Sequence, residues 1–362
     1  MLLKSNKPLR FLNDFLKKTS PIERRTLLLD HPRFVLQGIL DIEFKNYAAV
    51  VAISVFSMSN HAKGLIASAS YIGMALSPLI LALFTTKTIA LETNRVIALL
   101  LSLVGMALVV AAVANCGLVF LIAIVFAKIL YKQTLPFVTD IYNRNYPKKR
   151  RGRIIGYLFT ILALSSVISG IIFGHILDRD LNNYRWIFVL GAFAAFFCSA
   201  IFRHIPNGHV LPANSQSLLR SNLSILFHDR LFTAVLLLWS LMSIAFQMTY
   251  PLRIEYLTNP QYGLCVLHSD YALLMITIPT TVRILSAFFW GRIFDTQNFA
   301  VMKILINAAF LLGIPLFFFS TNFWVLALSS VFLGLGYGGN LTAWQLWVTK
   351  IVPSPEKLGA YV

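Results

Sequence analysis

Ten stretches of the chain, at 34–58, 62–86, 94–115, 117–142, 154–177, 185–204, 231–256, 268–292, 299–320 and 322–348, are mostly apolar and about as long as a bilayer is thick. A spanning helix needs roughly 20 such residues, because lipid offers no partner to backbone N–H and C=O groups and the helix must satisfy them itself. A soluble chain of this size carries charge on about a quarter of its residues. Here only 12% are charged, 57% are hydrophobic and the mean hydropathy is +0.73. The pattern predicts an all-α membrane protein of about ten transmembrane helices.

The formal net charge of +17 would suggest a nucleic-acid partner in a soluble protein. The basic residues instead fall between the apolar runs. With the N-terminus inside and the segments alternating, twenty-three of the 31 Lys and Arg lie in inside stretches, and just Lys63, Arg179 and Arg185 lie outside. Such a bias over short loops orients a membrane protein. It predicts a cytoplasmic N-terminus, an integral protein of a bacterial cytoplasmic (inner) membrane, the lipid bilayer as partner, and no nucleic acid. Residues 1–33 mix Lys and Arg with Leu and Phe and lack the apolar core of a signal peptide. They are expected to form a basic cytoplasmic segment near anionic lipid. The polar stretch 205–230 reads as a cytoplasmic linker between a six-helix half, 34–204, and a second half, 231–362, of four helices and the start of a fifth.

Charges inside the apolar runs cost about 2.5–3.5 kcal/mol each at a helix centre, so each calls for a reason. In the first segment Asp41 and Lys45 are one helical turn apart and are expected to pair, on a face whose Ala48 and Ala52 suit close packing. Nearly opposite, Glu43, Asn46, Tyr47, Ser54 and Ser57 make a polar stripe, expected to face a water-filled cavity. The fourth segment carries Lys128 and Lys132, like charges one turn apart that need an acid or an anionic ligand. The second half contributes Gln247 and Tyr250, Arg283 near the middle of segment eight, and Asn340. Arg253 is expected to snorkel at the outer interface beside Glu255. Glycines 334, 336, 338 and 339 lie within an apolar helix, with no strand before them and no Lys-Ser/Thr after them. They indicate small-residue helix packing rather than a nucleotide loop.

Three features resemble the major facilitator superfamily, twelve-helix secondary transporters built as two six-helix halves. The loop Trp290-Gly291-Arg292-Ile293-Phe294-Asp295 keeps the Gly and Asp of that family's loop signature, whereas the equivalent first-half loop, 84–92, lacks both. Ser169-Gly170 to Gly174 with Asp178, then Tyr184-Arg185-Trp186, is similar to the family's Gly-rich fifth helix and its entry to helix six. Arg151-Gly152-Arg153 fits the four–five loop. The resemblance implies helices one, four, seven and ten around a central cavity, and so Glu43 as a partner for Lys128 or Lys132. It also implies a gating role for Gly291 and Asp295, the latter against the start of an eleventh helix. Cytoplasmic loops that run from Pro to Gly after segments four and ten (147–152 and 353–359) suggest an internal repeat whose last two helices are lacking.

Cys116, Cys198 and Cys265 have no metal or disulfide spacing, no His/Cys/acid cluster appears, and no serine has a nucleophile setting. No enzyme, cofactor or metal is expected. The sequence predicts a secondary active transporter of a small solute working by alternating access, open to proton coupling through Glu43, with an anionic or zwitterionic substrate favoured by the buried basic excess. The alternative is a non-transporting sensor or partner-binding protein on the same scaffold. Convergence of the buried charges on one cavity would favour the first; scattered, locally neutralised pairs would favour the second.

Overall fold

The computed structural model describes residues 20–84, 92–206, 230–259 and 264–351. Within these, ten helical rods follow the ten apolar segments. α1 comprises Pro21–Ile42, a π-helical turn Glu43–Tyr47, and Ala48–Ser54; α2 is Asn60–Phe84, α3 Thr93–Val113, α4 Gly117–Asn145, α5 Lys148–Arg179 and α6 Tyr184–His204. α7 is Arg230–Thr258, α8 joins His268–Ala272, a second π turn Leu273–Thr277 and Ile278–Thr296, α9 is Phe299–Phe318 and α10 Phe323–Ile351. Seven rods are long and apolar enough to cross a membrane, and α8 is an eighth when taken across its bend. α1 carries Asp41, Glu43 and Lys45, which lowers its hydropathy without shortening it. The linker 205–230 falls almost wholly, and the first-half loop 84–92 and the chain after Ile351 largely or entirely, outside the described residues.

α1 begins well before the apolar run. Ser20 caps it by accepting from the Glu23 N–H at 3.1 Å, Pro21 opens the first turn, and Glu23 adds a favourable charge there. Residues 21–33 are therefore the first turns of α1, continuous with the apolar run that follows. The reason is a buried polar cluster at this end of the bundle. Asp30 binds Arg33 at 2.6 Å and accepts from the Tyr146 hydroxyl at 2.6 Å, Arg33 also donates to Tyr142, and Arg150 reaches Glu23 at 3.0 Å.

α1 to α6 pack as one group and α8 to α10 as another, with α7 touching both. Small residues set the close approaches. A Cβ on Gly38 of α1 would lie 2.7 Å from the Leu162 carbonyl oxygen and the Ser165 Cβ of α5. Gly334 and Gly338 of α10 are crowded by α8, and Gly336 and Gly339 by α9, with contacts of 2.6–2.8 Å to such a Cβ. That matches helix association in lipid, where van der Waals contact between near backbones replaces the hydrophobic drive. Leu164, Ile168 and Ile172, four residues apart on α5, are 54%, 59% and 48% exposed and form an outward apolar stripe suited to acyl chains.

Candidate functional site

Between the two groups lies a cavity of about 390 Å³. Its N-half wall includes Asp41, Lys45, Asn46 and Ala49 of α1, Ser70 and Tyr71 of α2, and Lys128 and Lys132 of α4; its other wall includes Gln247 and Tyr250 of α7, Arg283 of α8, and Tyr337 and Asn340 of α10. Of the carboxylates on described residues, Asp41 alone faces it, in the field of Lys45, Lys132 and Arg283. Lys45 binds Asp41 at 2.7 Å. Lys128 is 5% exposed and donates to the Ile66 carbonyl of α2, with no ion pair among the described residues. The formal balance of the lining is four cations against one anion.

The π turns position this wall. In α1 the Ala48 N–H reaches back five residues to the Glu43 carbonyl, and in α8 the Ile278 N–H reaches Leu273 likewise. Such turns insert a residue and rotate the next part of the helix off the regular 100° step. Asn46, within the first π turn, accepts from the Tyr250 and Tyr271 hydroxyls at 2.8 Å each, tying α1 to α7 and α8.

The first segment's faces follow the sequence expectation at Asn46 and depart from it at Asp41, Glu43, Lys45 and Tyr47. Asp41, Lys45 and Ala49 face the cavity. Glu43 and Tyr47 turn into the protein, each fully buried: the Tyr47 hydroxyl donates to the Gly170 carbonyl of α5 at 2.5 Å, and the Glu43 carboxylate presses on Gly191 of α6, where a Cβ would overlap it. Neither Glu43 oxygen has a hydrogen-bond partner among the described residues, and Glu43 does not meet Lys128 or Lys132. A face count at 100° per residue does not carry through the π turn at Glu43–Tyr47, so the residues on either side of it no longer share the faces a regular helix would give them.

Arg253 and Glu255 were expected to snorkel together and instead part company. Arg253 is 2% exposed, donates to the Tyr337 hydroxyl at 2.6 Å and lies over the Tyr250 ring at 5.2 Å. Glu255 crosses to Lys63 of α2 at 2.6 Å. Close by, Asp178 at the end of α5 accepts from the His268 N–H at 2.6 Å and the Ser269 N–H at 3.0 Å, capping the start of α8 across the seam. These contacts tie α2 to α7 and α5 to α8 at the end of the bundle opposite the buried Asp30–Arg33 cluster. Sequence reasoning missed Asp178 as a cap because the N–H groups it binds belong to a helix ninety residues on.

Gly291 and Asp295, the expected gate, lie at the other end of α8. No described atom comes within 4 Å of a Cβ placed on Gly291, so it makes no close helix approach, and Asp295 is exposed. The three cysteines are free, and no group of His, Cys, Asp and Glu among the described residues could hold a metal.

Residues 34–362 match the profile of the Major Facilitator Superfamily. The fold is similar to that of a nucleoside transporter, NupG (TM-score 0.69, 16% identity, 94% of this chain and 85% of that one), and to a bacterial homologue of the human lysosomal transporter Spinster in its inward-facing, unoccupied conformation (0.67, 16%, 95% and 78%). The xylose transporter XylE from E. coli, inward open, is also similar (0.62, 14%, 92% and 84%). A comparison with curated protein sequences finds no match.

Proposed function

Because the chain belongs to the major facilitator superfamily, and so to a family of transporters rather than enzymes, we propose that it is a secondary active transporter that carries a small anionic solute by alternating access. The observation that carries this reading is the convergence of Asp41, Lys45, Lys128, Lys132 and Arg283 on one cavity between two helix groups. A scaffold kept for sensing or partner binding has no use for three buried or half-buried cations, Lys128, Lys132 and Arg283, around one pocket, each costly in lipid. The positive-inside pattern makes the end carrying Lys148 to Arg153 cytoplasmic, in keeping with a cytoplasmic membrane. On that orientation the Lys63–Glu255 and Asp178–α8 contacts seal the outer end, and the conformation faces inward.

Asp41 takes the coupling role that the sequence gave to Glu43, since it is the carboxylate in the path and its neighbours across the cavity are basic. Gln247, Tyr250 and Asn340 supply neutral hydrogen-bonding groups to the same solute. Gly291 and Asp295 remain assigned to gating at the cytoplasmic edge. Reconstituted in proteoliposomes, the chain should accumulate its solute when a proton gradient is imposed. Asp41→Asn should abolish that accumulation while retaining solute exchange at equal pH. Unchanged accumulation in Asp41→Asn would overturn the coupling assignment, and an absence of uptake for any small anion would overturn the transport reading.

A further inference from the structure

We propose that the solute is a small organic dianion, whose two negative charges are held one by the α4 lysines and the other by Arg283, so that the ligand bridges the two halves. The proposal rests on reading this cavity as the solute site and adds the charge and placement of its occupant.

The first argument is charge balance. Lys45 is already matched by Asp41. Lys128, Lys132 and Arg283 then remain, and among the described residues Asp41 is the sole acid lining the cavity with them. A monoanion would leave two of these formal charges unmatched in a site with low-dielectric walls, where Coulomb terms are several times stronger than in water. A dianion leaves one.

The second argument is placement. The α4 lysines and Arg283 stand on different helix groups, with Lys128 and Lys132 one turn apart on the same helix face. Two acid groups on one small molecule can therefore engage both walls together, and a cavity of about 390 Å³ is at the small-metabolite end of the usual range.

The third is the hydrogen-bond direction at Tyr337. Its oxygen accepts from Arg253, so its own proton is left to donate elsewhere, and its side chain lines the cavity. Arg253 itself is buried with Nε unpartnered and no ion pair among the described residues. Its field therefore adds to the positive potential behind Tyr250 and Tyr337. The wall as a whole offers donors and cations, the complement of carboxylate or phosphate oxygens.

The test is binding to the purified full chain in lipid nanodiscs, read as the rise in melting temperature on titration with each probe at matched ionic strength. Succinate and glycerol 3-phosphate separate a dicarboxylate from a phosphate monoester; butyrate and lactate are the monoanion controls. A saturable rise with at least one dianion, at an affinity roughly tenfold or more above either monoanion, supports the proposal, and the responding arm names the chemistry. Arg283→Gln, and Lys128→Gln combined with Lys132→Gln, should each collapse that preference to about equal binding, because each removes one of the two anchors; both variants must first melt cooperatively without ligand. Equal affinity for monoanions, no response to either dianion, or a preference that survives in both variants would overturn it. Transport is scored separately: a chain that binds a dianion saturably yet moves none in proteoliposomes refutes the transport reading and leaves the ligand assignment standing.

Discussion

The contact between Asp178 and the start of α8 can be broken without touching the cavity. In Asp178→Ala the His268 and Ser269 N–H groups lose acceptors at 2.6 and 3.0 Å, and the His268 ring loses one at 3.2 Å. Loss of a helix cap costs about 0.5–2 kcal/mol, and a hydrogen bond to an ionised group about 1.5–3 kcal/mol. The site is partly open, with the Asp178 side chain 17% exposed, so water recovers part of this and about 2 kcal/mol is the net loss expected. The contact joins α5 to α8, and on the alternating-access reading it is made only while this end is shut, so the whole loss should fall on the closed state. At 1.36 kcal/mol per tenfold, the balance should move about thirty-fold toward the form open at this end.

Gly174→Ala strikes the same contact by overlap, since its Cβ would lie 2.6 Å from the His268 carbonyl oxygen and 2.9 Å from the Ser269 Cα. Spin labels at the exposed Asn182 and Thr321, in loops of the two halves at this end, report the gap by pulsed electron resonance in a cysteine-free background. Both variants should populate a longer distance that is minor in the parent. Distance distributions identical to the parent in both, with melting unchanged, would refute the idea that this contact is made in one state alone.

Gly191→Ala should destabilise the fold by about 1–3 kcal/mol, because its Cβ would overlap the Glu43 carboxylate. Adding Glu43→Ala should recover most of that in thermal melts, and additive losses would show that the two do not touch. Arg33→Ala strips the fully buried Asp30 of its ion pair and should cost about 3–5 kcal/mol, seen as a large fall in melting temperature; a fall of a degree or two would mean that Tyr146 alone suffices. Asn46→Ala leaves the buried Tyr271 hydroxyl without its acceptor, an expected loss of roughly 1–3 kcal/mol in stability. An Asn46→Ala protein as stable as the parent would show that water replaces the amide.

The fold was legible because lipid narrows the choices. Each apolar run had to become a helix, and the glycines of 334–339 announced close packing before any partner was known. The site was legible in composition and misread in direction. Asp41, Lys45, Asn46, Lys128, Lys132, Gln247, Tyr250, Arg283 and Asn340 all reach one cavity, whereas Glu43 and Tyr47 do not. A face count at 100° per residue assumes a regular helix, and α1 contains a π turn at the residues in question. Tyr71 and Tyr337 on the cavity wall, and the partners of Arg253 and Asp178, were not foreseen, because what each side chain meets lies far along the chain.

Sequence alone determined that the chain spans a membrane as a helical bundle and which residue types had to be hidden from lipid. Those are matters of transfer free energy, summed along the chain and nearly independent of partners. The tertiary structure decided which buried charge faces water, which faces a glycine, and which crosses to the other half. A charge in lipid is costly wherever its helix lies, but its relief depends on groups far along the chain: Glu255 found Lys63, Arg253 found Tyr337, and Glu43 found no polar partner among the described residues.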